Sequence, residues 1–136
     1  MKKILTLTVI LFASVVATSA QTDTSLYKRL GGQEGIMAII DEAIANMASD
    51  RRINMKLARA DIRVLKNNMD SVVCNKAGGN CQLPTISKKI KLTESEWKAG
   101  IEDVTKALNK FGVGPREKSE LLELIDILKK DYFEEQ

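Results

Sequence analysis

The residues that could do chemistry in this chain are few and partly clustered. Cys74 and Cys81 stand close together, Met69 precedes them, and Lys88, Lys89 and Lys91 follow. Carboxylates gather at Asp41-Glu42, Glu102-Asp103 and Glu117, Glu120 and Glu123. The chain has no histidine, so the usual proton carrier near neutral pH is missing. No spacing assembles a nucleophile with a base, and acidic runs of this kind are ordinarily solvated helix surface. An enzyme working without a cofactor is therefore not expected. Two thiols without histidine are too few ligands for a closed zinc site. In an exported chain the expected fate of Cys74 and Cys81 is a disulfide, with a metal pair as the alternative.

Export is read from the first twenty residues. Lys2 and Lys3 precede an apolar stretch over residues 4–16, and Ala17-Thr18-Ser19-Ala20 offers small residues for cleavage before Gln21. The stretch is shorter than the roughly 20 residues of a membrane span, so residues 1–20 read as a secretory signal peptide. Residues 21–136 then form one domain, periplasmic or secreted, with no membrane span after cleavage. Loss of Lys2 and Lys3 leaves 19 basic against 18 acidic residues, a net charge of +1 in place of +3. So balanced a charge gives no reason to expect nucleic acid as a partner. The lysines at 88, 89 and 91 could dock an acidic protein partner, though loop lysines commonly serve solubility.

The elements that must position these groups are helical. A short helix over 25–30 is stopped by Gly31-Gly32. Ile36, Ile39, Ile40, Ala43, Ile44 and Met47 recur at three- and four-residue steps, predicting an amphipathic helix over 33–48. A polar connector follows to about residue 60. Ile62, Leu65, Met69, Val72 and Val73 form the next stripe, ended by Gly78-Gly79. Pro84 disfavours a helix in the stretch after it. Thr93-Glu94-Ser95-Glu96 is a capping box opening a helix whose stripe is Trp97, Ile101, Val104, Leu108 and Phe111. Pro115 starts the last helix, which carries Leu121, Leu124, Ile125, Leu128 and Tyr132. No segment alternates as a strand would, and the fold class is all-α.

Four motifs carry a resemblance across nearly the whole domain: SLYKRLGGQEGI at 25–36, LKNNMDSVVCNKAGG at 65–79, LTESEW at 92–97 and LNKFGVGPREKSELLELI at 108–125. In order and spacing they resemble the group I truncated haemoglobins, which implies a two-over-two helical sandwich and haem as the cofactor. The same resemblance implies a proximal histidine about ten residues before Trp97, where this chain has Ser87. It also implies a distal Phe-Tyr pair where Ala43-Ile44 stands, a Phe-Phe pair at Lys56-Leu57, a glutamine at Met69 and a phenylalanine at Val72. Frame markers remain while ligand, oxygen-bonding tyrosine and ring-packing aromatics are all replaced.

Two readings follow. In the first, the cofactor is none: a globin frame that has lost histidine-ligated haem acts as an exported binding or interaction scaffold. Ala43, Ile44, Leu57 and Val72 then border an apolar pocket for a small apolar ligand, with Lys56 and Lys88 near its rim and the vacant position at Ser87. The other outcome of the same losses is a core that closes with no ligand. In the second reading haem is bound with atypical ligation and carries oxygen or nitric oxide. Met69 could supply a thioether, or Lys88 or Lys89 an amine deprotonated by burial.

Overall fold

The computed structural model describes residues 24–86 and 89–135. The proposed signal peptide, Ser87 and Lys88 lie outside the described residues. Six helices run in order as α1 (Leu26–Arg29), α2 (Gly32–Ser49), α3 (Asn54–Leu57), α4 (Ile62–Lys76), α5 (Glu94–Lys110) and α6 (Pro115–Tyr132). Two three-residue strands, β1 (Ile90–Leu92) and β2 (Phe133–Glu135), complete the described elements.

Local chemistry sets the helix ends. The Ser25 hydroxyl accepts from the Lys28 amide at 3.4 Å to open α1. Gly31 and Gly32 take φ of 88° and 68°, the left-handed region that turns α1 sharply into α2. A side chain at Gly35 would place its Cβ 1.9 Å from the Leu30 carbonyl oxygen, so this turn closes only because the position is glycine. Asp61 caps α4 by accepting from the Val64 amide at 3.1 Å. The capping box of α5 is complete: the Glu96 amide donates to Thr93 Oγ1 at 3.2 Å, and the Thr93 amide donates to Glu96 Oε2 at 2.8 Å.

Packing follows the apolar stripes. All six stripe residues of α2 are buried, against α5 on one side and α4 on the other. Ala99, Ala107 and Leu108 of α5 are fully buried, and Leu121 and Leu128 bring α6 onto the same core. Outside the core, the Tyr27 amide donates to the Ala77 carbonyl at 2.8 Å. Arg29 of α1 pairs with Glu117 at 3.0 Å and with Glu120, both on α6. Cys74 and Cys81 sit at disulfide distance with Cα atoms 5.9 Å apart, fastening the end of α4 to the segment beyond it. Asn75 Nδ2 donates to the Cys81 carbonyl at 2.6 Å beside that bond.

The strand pair is the departure from the sequence reading. β1 and β2 are parallel, with Ile90, Lys91 and Leu92 opposite Phe133, Glu134 and Glu135. Three residues are too few to show alternation, and the pairing depends on α6 delivering its end beside residue 90. Trp97 meets Phe133 edge-on at 5.0 Å between ring centroids, and the Lys129 ammonium lies 5.1 Å above the Trp97 ring. Among the described residues no helix is long and apolar enough to cross a membrane.

Candidate ligand cavity

Between α2, α4, α5 and α6 the helices do not close. They leave a cavity of about 690 Å³, within the range of small-molecule sites, about 300–1,000 Å³. Ile36, Ile39, Ile40, Ala43 and Met47 line it from α2, and Leu65, Met69 and Val72 from α4. Trp97, Gly100, Ile101 and Val104 contribute from α5, and Leu121, Ile125, Leu128 and Tyr132 from α6. Ile86 and the residues Lys89, Ile90, Lys91 and Leu92 form a further wall. Helices α2, α4, α5 and α6 turn apolar stripe residues to this space, which is why burial and cavity lining coincide along most of α2.

The sequence-derived site residues are distributed as follows. Leu57, Val72 and Met69 line the cavity, the first two buried and the third half-buried. Lys56 lines it and pairs with Glu96 at 3.4 Å. Lys89 is exposed, lines it, and donates from Nζ to the Lys130 carbonyl at 2.6 Å. Ile44 is buried in the core but is absent from the cavity wall, where its neighbour Ala43 stands instead. Ser87 and Lys88 lie outside the described residues. Cys74 is fully buried away from the cavity, and its bond to Cys81 acts on the frame.

Several lining residues carried no separate signal in the sequence. Met47 and Tyr132 belong to helical stripes, whose spacing alone marks core. Arg59 lay in the polar connector, where nothing in its neighbours' types distinguishes a cavity rim from plain surface. Among the described residues Arg59 makes no ion pair. Among the described residues four cations line the cavity, Lys56, Arg59, Lys89 and Lys91, against one anion, Asp61.

Two acids off the cavity each have a carboxylate oxygen without a hydrogen-bond partner. Burial pushes the Asp70 carboxyl above its usual range, opposed by the Gln33 side-chain amide that donates to Oδ2, while Asp70 Oδ1 has no hydrogen-bond partner. Asp103 is 0 % exposed, accepts from Lys106 Nζ at 2.7 Å through Oδ1, and has no partner for Oδ2.

Haem is the group this architecture brings to mind, and the wall can be tested against it. The volume and apolar lining suit the body of a flat macrocycle. The donor set does not suit its iron. The chain has no imidazole, both thiols are in the Cys74–Cys81 bond, and the wall offers two thioethers, Met47 and Met69, and the Tyr132 phenol. A thioether ordinarily serves haem iron as the second ligand opposite histidine, and a phenol binds it as phenolate. The Tyr132 hydroxyl has no hydrogen-bond partner among the described residues to hold that form.

Comparison with known proteins places this geometry. No protein-family model matches the chain, and no curated protein matches it. Solved structures do. The ferric truncated hemoglobin of Tetrahymena pyriformis superposes with a TM-score of 0.72 at 19% identity, covering 81% of this chain and 98% of that one. The 2/2 hemoglobin of Synechococcus sp. PCC 7002, in the cyanomet state with covalently attached heme, gives 0.68 at 18% identity, covering 76% and 91%. The all-α, two-over-two sandwich expected from the motifs is therefore the observed architecture. This chain has the fold of the truncated haemoglobins.

Proposed function

We propose that this protein is an exported small-molecule carrier or sensor built on a truncated-globin frame, which binds an apolar ligand without histidine-ligated haem and has no catalytic role. The observation that carries the reading is the persistence of a 690 Å³ apolar cavity in a chain with no histidine. Binding would draw on the hydrophobic gain of covering that wall, at about 25 cal/mol per Å² of apolar surface. Trp97 is the sole tryptophan and lines the cavity, so its fluorescence reports occupancy directly.

The test pairs two titrations. A neutral aliphatic alcohol, dodecanol, is expected to change Trp97 emission saturably at one site per chain. Haemin is expected to give weak uptake without a sharp Soret band. A tight one-to-one haemin complex would overturn the haem-free reading. It would favour the second one, haem held by a thioether and open to oxygen or nitric oxide. That reading has its own support, since Met47 and Met69 both line the cavity and the structural neighbours are haem proteins.

A further inference from the structure

We infer that the ligand of this cavity is an aliphatic carboxylate, a fatty-acid-like molecule with its chain among the helices and its head group on Arg59. The inference rests on the apolar-cavity reading above and adds the ligand's class.

The charges at the wall point to an anion. Of the four lining cations, Lys89 is engaged by the Lys130 carbonyl, Lys91 lies 3.7 Å from Glu134, and Lys56 lies 3.4 Å from Glu96. Arg59 has no ion pair or hydrogen bond from its side chain among the described residues. Its planar fork matches a carboxylate through two parallel N–H···O bonds, geometry that an ammonium lacks. Asp61, the one anion in the wall among the described residues, accepts the Val64 amide through Oδ1 as the cap of α4.

The wall reaches solvent at the α3–α4 connection, where Arg59, Asp61 and Val64 line the cavity and are exposed, Val64 by 47%. The opening thus has an apolar side and a cationic side, the arrangement that receives an apolar tail and keeps a charged head in partial contact with water. The wall's α2, α4 and α6 contributions are apolar apart from Asn68 and the Tyr132 hydroxyl, and its aromatic rings are Trp97, Tyr132 and Phe133, with Trp97 and Phe133 edge-on. Aliphatic side chains follow a bent methylene chain, whereas a flat ring system gains most from stacked faces.

The experiment compares dodecanoate with dodecanol, which differ in the charged head, on the wild type and on Arg59→Gln, read by Trp97 emission and by calorimetry. Arg59 is exposed, so its replacement leaves the core intact. Dodecanoate is expected to bind the wild type about fivefold more tightly than the variant, with the difference shrinking as salt is raised. Dodecanol is expected to bind both equally. Should both probes bind saturably and Arg59→Gln leave dodecanoate unchanged at low salt, the carboxylate inference is overturned while the apolar-cavity reading stands. Failure of both probes to bind the wild type overturns the two together. Haemin competing stoichiometrically with dodecanoate through a sharp Soret complex would also count against it, because the head-group cations would then serve a porphyrin.

Discussion

Whether the cavity is truly open in solution can be read from the sign of one substitution. Ala43 is 1% exposed, sits in the middle of α2 and lines the cavity. Ala43→Leu adds three carbons there, and alanine and leucine are both good helix formers, so helix propensity barely changes. If the space is open, each added carbon is worth about 0.8 kcal/mol of burial. Ordering the new side chain costs about 0.5–1 kcal/mol. The net is a stabilisation of about 1.5 kcal/mol. If the helices instead close on one another in solution, the same carbons overpack a dense core at a cost of about 1–3 kcal/mol. The two cases differ in sign, which makes the result hard to misread. Urea unfolding followed by far-UV circular dichroism measures it, with an unchanged m-value required so that the midpoint shift reports stability. Dodecanol affinity should fall in the same variant as the volume is consumed. A lowered midpoint with dodecanol binding intact would refute the cavity as the ligand's place.

Gly35→Ala should lose several kcal/mol in urea unfolding, because its Cβ would fall 1.9 Å from the Leu30 carbonyl oxygen, a backbone atom that cannot swing aside. Reducing the Cys74–Cys81 bond, which closes a loop of sequence separation 7, should lower stability by about 2–3 kcal/mol. Unfolding midpoints measured with and without reductant check this. Thr93→Ala removes half of the α5 capping box and should cost about 0.5–2 kcal/mol in the same assay. Asp70 has a carboxyl raised by burial, so the folded state favours its neutral form. Its contribution is fully present below the unfolded carboxylate range and is lost as pH rises through the elevated folded value. Asp70→Asn should therefore gain stability near neutral pH and flatten the decline above the carboxylate range. A pH series of unfolding midpoints that is unchanged by the substitution would contradict the cause assigned to the shift.

The helices were legible because burial and periodicity are the same fact seen twice. The α2 stripe predicted a helix over 33–48 and the structure has Gly32–Ser49, and the Thr93 box marked the start of α5 to the residue. The two-over-two arrangement was legible only through the motifs, since stripes say which face is buried and not which helix covers it. That gap explains the misplaced wall residue. Ile44 and Ala43 are both on the buried face of α2, but the face is wider than the cavity, and a rotation of one residue decides which of them meets open space. Arg59 shows the converse. An exposed arginine in a connector has no periodic signature, and its place at the mouth follows from how α3 and α4 are joined in space. The β1–β2 pair is likewise a consequence of tertiary delivery, with three-residue strands too short to encode themselves.

The helices around the cavity are held apart mostly by fastenings outside it. Tyr27 is tied to Ala77 through the backbone, Arg29 to α6 through two carboxylates and Cys74 to Cys81, while the β1–β2 pair is itself part of the wall. The close approach at Gly35 sets the entry of α2 against Leu30. None of these contacts needs an occupant in the middle. The wall can therefore change its side chains while the helices keep their stations. Sites held by their own surroundings tolerate such exchange because the cost of each wall substitution is a local packing term of a few kcal/mol at most. Loosening the Cys74–Cys81 bond or the Arg29 ion pairs should therefore narrow the cavity even where the core residues are untouched.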